Sequence, residues 1–448
     1  MSFELTKEFI RSVENYINEG NWKKLLEETA NLHPVDIADV INELDEDHAL
    51  AMYKVYNQEQ AAEILIELDP EVQEDLVAKL SNEEIASELI DNLDSDDAAD
   101  LIGNLPEERK SEVITQIEDL EQAKQIVDLL NYPEDTAGGL MAKELVKVNH
   151  NWSVMQCVRE MRRQAEDIDE VHAVYVVDDE NRLLGTLSLK KLLTTSTRTP
   201  VKEIFKPKVQ SVKASLEGEE VAYVMQKYDL VVVPVVDDLG RLLGRVTFDD
   251  IVDVIKEEAD RDYQLASGIS ESVESDDSIL RLTRARLPWL LIGLVGGVLV
   301  AQIIGLFDIR ENLEMALFIP LIAAMGGNVG VQSSAIIVQA LANKSVNMPV
   351  WTRLTKELGV SLLNGFVCSV ILFFGCWVMG YHPDMSFTIS LSLLIVIVLA
   401  ALFGTFVPLT LDRFNIDPAV ATGPFITTAN DMLGLFIYFT IGKMILGG

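Results

Sequence analysis

From Leu287 onward the chain is a succession of five apolar segments, each near or above the roughly 20 residues a helix needs to cross a bilayer. They run approximately Leu287–Phe307, Met315–Ala342, Glu357–Met379, Phe387–Thr410 and Pro418–Leu446. Charge divides the chain at the same place. Of 71 acidic and 36 basic residues, only eight and six fall in residues 287–448, so the first 286 residues carry 33 excess negative charges. A strongly acidic half precedes a hydrophobic one, and 448 residues leave room for about three domains. The acidic balance argues against nucleic acid, whose phosphates need Lys and Arg. It is compatible with cation binding or with solubility alone. Three cysteines, Cys157, Cys368 and Cys376, make no disulfide framework. The first residues, MSFELTKEFIRSVENYINEG, lack the apolar run of a signal peptide.

Flanking charges orient the spans, because cationic loops stay in the cytoplasm. Arg281, Arg284 and Arg286 precede the first span, Lys344, Arg353 and Lys356 separate the second from the third, and Arg413 separates the fourth from the fifth. Only Arg310 and Lys443 fall on the other side. The expected arrangement is a multi-pass protein of the plasma membrane, in bacteria the inner membrane, with a cytoplasmic acidic half and the C-terminus outside.

Asp431 lies within the fifth span, after Asn430, with almost no other charge nearby. A charge at such depth costs about 3 kcal/mol on insertion scales and by default marks an ion or proton path. The alternative is a protonated or paired acid that joins helices. The second span carries Pro320, Gly326, Gly327, Asn328, Gly330 and Gln332, and the fifth carries Gly423-Pro424, Thr427, Thr428, Asn430 and Asp431. Two irregular helices are expected, since a break at membrane depth is tolerated where it faces protein or a watery cavity. The glycines alone could equally serve close packing. A hydrated path between the second and fifth spans satisfies all the polar groups together. One carboxylate with amide and carbonyl oxygens suits a hard cation, Mg²⁺ or Ca²⁺. No Cys or His lies near Asp431 to favour a softer metal.

The acidic half contains a repeat. VHAVYVVDDENRLLGTLSLKKLL begins at Val171 and DLVVVPVVDDLGRLLGRVTFDDIVDVI at Asp229; Asp178 and Asp237, like Gly185 and Gly244, are 59 residues apart. Each copy reads as a strand, an acidic-Gly turn, a second strand after Leu-Leu-Gly, and a helix, with another helix ahead. This resembles a tandem pair of CBS modules. Thr247 and Asp250 form the hydroxyl-and-acid pair that holds nucleotide ribose in many such modules, whereas the first copy has Ser188 and Lys191. Residues 1–135 read as short helices with a loose 24-residue repeat, Ala38-Asp39, Ala62-Glu63 and Ala86 leading stretches that end at Leu44, Leu68 and Leu93. Asp94, Asp96, Asp97 and Asp100 crowd one turn, which a helix start also favours. Asp250, Asp253, Glu257, Glu258, Asp260 and Asp262 recur on a helix leading toward the membrane. Like charges at that spacing repel, and cations would relieve them.

Taken together, DTAGGLM at Asp135–Met141, the CBS pair, RLPWL at Arg286–Leu290, GGNVGVQS in the second span and IDPA…GP…TTANDMLGL in the fifth resemble the bacterial MgtE magnesium transporter family over nearly the whole chain. The resemblance implies a multidomain protein: an all-α superhelical N-domain (1–135), an α/β tandem CBS pair (136–255), a connecting or plug helix (256–286) and a five-helix transmembrane domain (287–448). It implies a homodimeric, Mg²⁺-selective, channel-like uptake transporter, closed by Mg²⁺ on its cytosolic domains. Asp431 matches the pore acid, and Asp417 a loop acid facing the plug. Glu63, Asp96 and Asp100 match metal-site acids of the N-domain. Glu219, Asp229, Asp250, Asp253, Glu258 and Asp262 match acids of the CBS and plug region. Gly327, Asn328, Gln332, Thr428 and Asn430 join Asp431 on the ion path. This chain departs from the pattern at Arg261, a basic residue at an acid position of the plug, which bears on one sensor site, and at Lys191, which replaces the acid of the first CBS module, so weak or absent ATP binding is expected. Rival readings are a CBS-regulated membrane enzyme, a non-transporting sensor, and a transporter of Co²⁺ or Mn²⁺. No catalytic constellation supports the first, since His33, His48, His150, His172 and His382 are scattered.

Overall fold

The computed structural model describes residues 3–165, 168, 171–274, 277–307, 313–342, 349–421 and 423–446. Arg310 and Lys344, two of the orienting charges, lie outside the described residues. The chain forms two compact units, Met1–Ile255 and Lys256–Gly448.

The first unit opens with short helices whose starts are written in the sequence. Pro34 and Pro70 occupy the first position of helices Pro34–Asn42 and Pro70–Lys79, where a missing N–H is harmless. Asp45 and Asn57 accept the amides of His48 (3.0 Å) and Gln60 (2.9 Å) to cap helices Glu46–Tyr53 and Gln58–Ile66. The 24-residue pattern is real: Ala38, Ala62 and Ala86 are fully buried, and Leu44, Leu68 and Leu93 close each stretch from the core side. The third copy departs from it. Its helix divides into Asn82–Glu84, a π turn at Ile85–Leu89 and a 3₁₀ turn at Ile90–Asn92. Helices Ser95–Gly103, Glu107–Gln116 and Leu120–Leu129 follow.

The CBS pair is two small mixed sheets. Strands β1 (Val146–Asn149), β2 (Val174–Val177), β3 (Leu183–Leu187) and β4 (Lys206–Pro207) make the first in that order. Strands β5 (Val212–Lys213), β6 (Val232–Val236) and β7 (Leu242–Thr247) make the second. In both, a parallel pair precedes an antiparallel hairpin, and both hairpins shift register at the equivalent place, Val176/Val177 and Val235/Val236. The turns match atom for atom. Asp178 Oδ1 accepts the amides of Glu180 and Arg182 (both 2.9 Å), and Asp237 Oδ1 those of Leu239 (2.9 Å) and Arg241 (2.8 Å). The left-handed turn position is Gly240 in one copy but Asn181 in the other, with φ of 79° and 63°. Leu-Leu-Gly lies inside β3 and β7 rather than ahead of them. The glycine is needed because a neighbouring chain crosses there: a Cβ on Gly185 would meet the Lys206 carbonyl at 2.1 Å, and one on Gly244 the Ala142 carbonyl at 2.6 Å.

The segment Asp135–Met141 stitches the helical region to the second CBS module. Ala137 and Gly138 donate to the carbonyls of Leu216 (2.7 Å) and Ala214 (2.9 Å), and Gly218 donates to Asp135 (2.7 Å). One hydrophobic core consequently runs from Val13 and Ile64 through Met141 to Val233 and Ile251.

The second unit holds five helices of membrane-spanning length and apolarity: Ile279–Gly305, Ile319–Ala342, Val350–Val378, Pro383–Arg413 and Gly423–Leu446. The fourth is the most buried. The expected break in the second span is not present; Ile319–Ala342 is continuous helix. Its glycines serve close packing instead. A Cβ on Gly404 would strike the Gly330 carbonyl at 2.3 Å, and one on Gly330 would strike Asn430 Nδ2 at 1.9 Å. The irregularity of the fifth span is confined to its start, where a 3₁₀ turn, Pro418–Ala421, precedes the helix. Because backbone, not a pliable side chain, faces Gly404, Gly404→Ala should destabilise this unit by about 1–3 kcal/mol. Thermal unfolding in detergent checks this; a native melting temperature would contradict the packing.

Candidate cation sites

The helix Ser95–Gly103 begins in a pocket of acids. Carboxylate oxygens of Asp94, Asp96 and Glu144 all lie within 4.8 Å of one another. Ser95, fully buried, holds them there. Its amide and hydroxyl donate to Glu144 Oε2 (3.3 and 2.8 Å), and its Oγ accepts the Lys143 amide (2.9 Å). Burial and then the charges of Asp97, Asp250, Asp94 and Glu144 raise the Asp96 pKa well above the usual range. Asp97 is pushed up to about 7, by burial first and then by Asp250, Asp94, Asp100 and Glu67. Burial also raises Asp250 and Glu67; Asp253 and Asp39 add to the latter while His33 opposes them. The interface thus gathers acids from the helical region, the segment leading into β1 of the first CBS module and the helix leaving the second. The guanidinium of Arg245 answers them, its Nη2 3.7 Å from Asp94 Oδ2.

Of the residues singled out from sequence, Asp96 and Asp250 meet here, with Asp100 acting on Asp97 and Asp253 on Glu67. Glu63, Glu219 and Asp229 are exposed, Asp229 as the left-handed C-cap of helix Gly218–Tyr228 (φ 50°). Glu144 and Glu67 were missed, and no local signal marks them; Glu144 joins Asp94 and Asp96 only through Ser95.

Thr247 donates from both its amide (3.1 Å) and its hydroxyl to Asp250 Oδ2. The pair expected to hold ribose is therefore satisfied within itself, at the start of helix Phe248–Ala266. In the first module Lys191 Nζ donates to the Ile204 carbonyl (3.4 Å). Farther along Phe248–Ala266, Arg261 pairs with Glu258 at 3.0 Å, and Asp262 is partly buried. So the basic residue at the expected acid position neutralises a neighbouring acid.

In the second unit, Gly268 (φ 82°) and Gly423 let the segment after that helix meet the start of the fifth membrane helix. A Cβ on Gly423 would strike the Ala266 carbonyl at 2.3 Å, and one on Gly268 the Pro424 ring at 2.6 Å. Asp417, exposed, accepts the Ala419 amide (2.8 Å) and so shapes the turn before it. Asp431 lies half-buried eight residues beyond Gly423, about 12 Å along the axis. Asn430 is buried against Gly330, and its Nδ2 has no hydrogen-bond partner among the described residues. The methyl of Thr428 packs on Gly296 of the first helix, and that of Thr427 on Gly327. Asn328 and Gln332, one turn apart, are exposed on the second helix. Glu357, missed from sequence, accepts from the buried Ser333 hydroxyl (2.7 Å) and ties the third helix to the second.

An acidic helical region, paired CBS modules and five membrane helices with an intramembrane carboxylate define a multi-pass membrane protein of the ion-transport class. The family model for MgtE, divalent cation transporter, matches residues 319–441; that for the MgtE intracellular N domain matches 32–135, and that for the CBS domain 137–197 and 201–257. A magnesium transporter MgtE of Thermus thermophilus is 36% identical over 97% of this chain and 98% of its own length. A Bacillus subtilis magnesium transporter MgtE is 32% identical over 72% of each. The chain belongs to the MgtE family. Among solved structures, the soluble part of a magnesium transporter matches 56% of this chain and 99% of its own (29% identity, TM-score 0.50). The cytosolic domain of the Mg²⁺ channel MgtE in complex with ATP matches 55% and 99% (35% identity, TM-score 0.51).

Raised acid pKa values fix the sign of a pH effect. Folding favours the protonated forms of Asp96 and Asp97, so their contribution turns unfavourable as pH rises from the unfolded value of 3.8 through the folded one, about 7 for Asp97. In chelator, protease resistance of the soluble half should fall between about pH 5.5 and pH 8, and added Mg²⁺ should restore it. Greater resistance at the higher pH in chelator would contradict the assignment.

Proposed function

We propose that this chain mediates Mg²⁺ uptake through a path beside Asp431 and that the same ion, bound by its acidic soluble half, closes that path. The observation that carries the reading is the half-buried Asp431 within a membrane-length helix of an MgtE-family chain. A single carboxylate flanked by amide oxygens suits Mg²⁺, which keeps several of its waters. Mg²⁺ is cargo and regulator rather than a resident cofactor, and the protein is a transporter rather than an enzyme. Co²⁺ and Mn²⁺ are the competing cargoes.

Asn328 and Gln332 face outward on a membrane helix, where polar amides seek partners. A second copy of the chain covering them, with Gly327, Thr428, Asn430 and Asp431 on the shared path, gives a homodimer with the pore between protomers. The cationic flanks favour a cytoplasmic soluble half and an outside C-terminus. The working division is 1–135, 136–255, 256–286 and 287–448.

Gating follows from charge. At high cytosolic Mg²⁺, cations neutralise Asp96, Asp100 and Glu63 of the N-domain, Glu219, Asp229, Asp250, Asp253, Glu258 and Asp262 of the CBS and plug region, and Asp417 of the membrane loop. When Mg²⁺ falls, repulsion among these acids loosens the soluble half. The contact of Ala266 and Gly268 with Gly423 and Pro424 offers a direct route from the connecting helix to the pore helix. Binding one state better than the other is what makes Mg²⁺ a regulator.

A relative's cytosolic domain has been solved with ATP. Here the internally bonded Thr247–Asp250 pair and the basic Lys191 support weak ATP binding at most. Calorimetry should find no sub-millimolar dissociation constant; one that survives Asp250→Ala would overturn this reading of both clefts.

The transport reading is tested in liposomes. Asp431→Asn, which keeps shape and removes charge, should nearly abolish Mg²⁺ flux while leaving a folded dimer; normal flux would refute the pore assignment. Removing residues 1–135, or neutralising Asp250, Asp253 and Glu258, should leave flux running at Mg²⁺ levels that close the native protein. If these variants close at the native Mg²⁺ level, the soluble acids do not gate.

A further inference from the structure

Arg245 is a buried cation placed inside the acidic interface. Its backbone is pinned on β7 by reciprocal bonds with Ala142 (2.9 and 2.8 Å). Its side chain is 9% exposed, with one nitrogen 3.7 Å from Asp94, within ion-pair range but beyond a hydrogen bond. Its Nε has no hydrogen-bond partner among the described residues, nor has the hydroxyl of Tyr175, which lines the same small cavity with Glu144 and His172. The other nearby cation, Lys143, is committed to Asp128 at 2.7 Å. A guanidinium has five donors and cannot be deprotonated. Arg245 is therefore permanently charged, buried, under-bonded and directed at one of three carboxylates that lie within 4.8 Å of one another.

We propose that Arg245 is a tethered competitor of the regulatory cation and sets the Mg²⁺ concentration at which the soluble half compacts. The inference rests on the reading of this interface as a Mg²⁺ sensor. With no Mg²⁺ present, the guanidinium offsets one of the carboxylate charges and keeps the interface from flying apart. A Mg²⁺ ion bound by Asp94, Asp96 and Glu144 at ordinary oxygen distances would stand within about 6 Å of that fixed charge. It must bind against the repulsion and draw Asp94 away from the arginine. Removing the positive charge while keeping the apolar stem should tighten Mg²⁺ binding. Ligand number is unchanged; only the local potential becomes more negative.

The test is a Mg²⁺ titration of the full-length protein in detergent, at constant ionic strength, read by protease protection of the soluble half. Arg245→Met should lower the midpoint at least roughly tenfold, the effect of one unit charge on a divalent ion at about 6 Å even with the screening of bulk water. Arg245→Lys should keep the midpoint near native, and Arg245→Gln should follow Met, which covers the case in which Met does not fold. A midpoint in Met and Gln that equals or exceeds the native one would overturn the proposal and leave Arg245 as a structural tie. A Lys midpoint that falls with the others would do the same, since shape rather than charge would then matter. If the native protein shows no Mg²⁺-dependent protection at all, the sensor reading itself fails, an outcome distinct from a native response that Arg245 does not tune.

Discussion

Five carboxylates, Asp94, Asp96, Asp97, Glu144 and Asp250, are drawn by the fold of the first unit toward one partly buried interface. Ionised acids at such separations repel strongly unless a proton, a fixed cation or a metal ion intervenes. Burial makes the problem worse and is the largest cause of the raised pKa of Asp96 and Asp97. The apolar core that joins the helical region to the second CBS module is what forces the acids together. Without that core the charges would separate at little cost. The soluble half is in this sense a spring, compressed by hydrophobic contact and opposed by charge.

The membrane unit obeys a different constraint. Lipid supplies no hydrophobic drive between helices, so close approach must come from small residues. Gly330 meets Gly404, Asn430 lies against Gly330, and Thr428 lies against Gly296. These contacts fix the rotation of the fifth helix and hence the direction of Asp431. Its start is fixed by a second pair of glycines, at 268 and 423, against the end of the connecting segment. A displacement at that end would be passed to Asp431 along about two turns of rigid helix.

Much of this was legible in the sequence because it is local. The five spans follow from length and apolarity, and the CBS repeat from two hairpins whose turn aspartates bond the same backbone amides. Helix starts were carried by single residues such as Pro34, Asp45 and Asn57. What could not be read was non-local. Glu144 gains its meaning from Ser95, some fifty residues earlier, and Glu67 from burial beside Asp97 and Asp253. The glycines of the second span illustrate the opposite failure. A run such as Gly326-Gly327 followed by Gly330 permits either a broken helix or a tightly packed one, and only Gly404 and Asn430, far along the chain, decide for packing. Arg245 was invisible for the same reason: a lone arginine in a strand reads as surface until Asp94 is seen opposite it.

The proposed gate rests on cations relieving acid repulsion at the start of helix Ser95–Gly103. Backbone hydrogen exchange there, in the full-length protein at matched ionic strength, tests it most directly. Amides of residues 95–103 and of β7 should exchange markedly more slowly in Mg²⁺ than in chelator, while the β2–β3 hairpin of the first CBS module changes little. Equal exchange at residues 95–103 with and without Mg²⁺ would contradict the account.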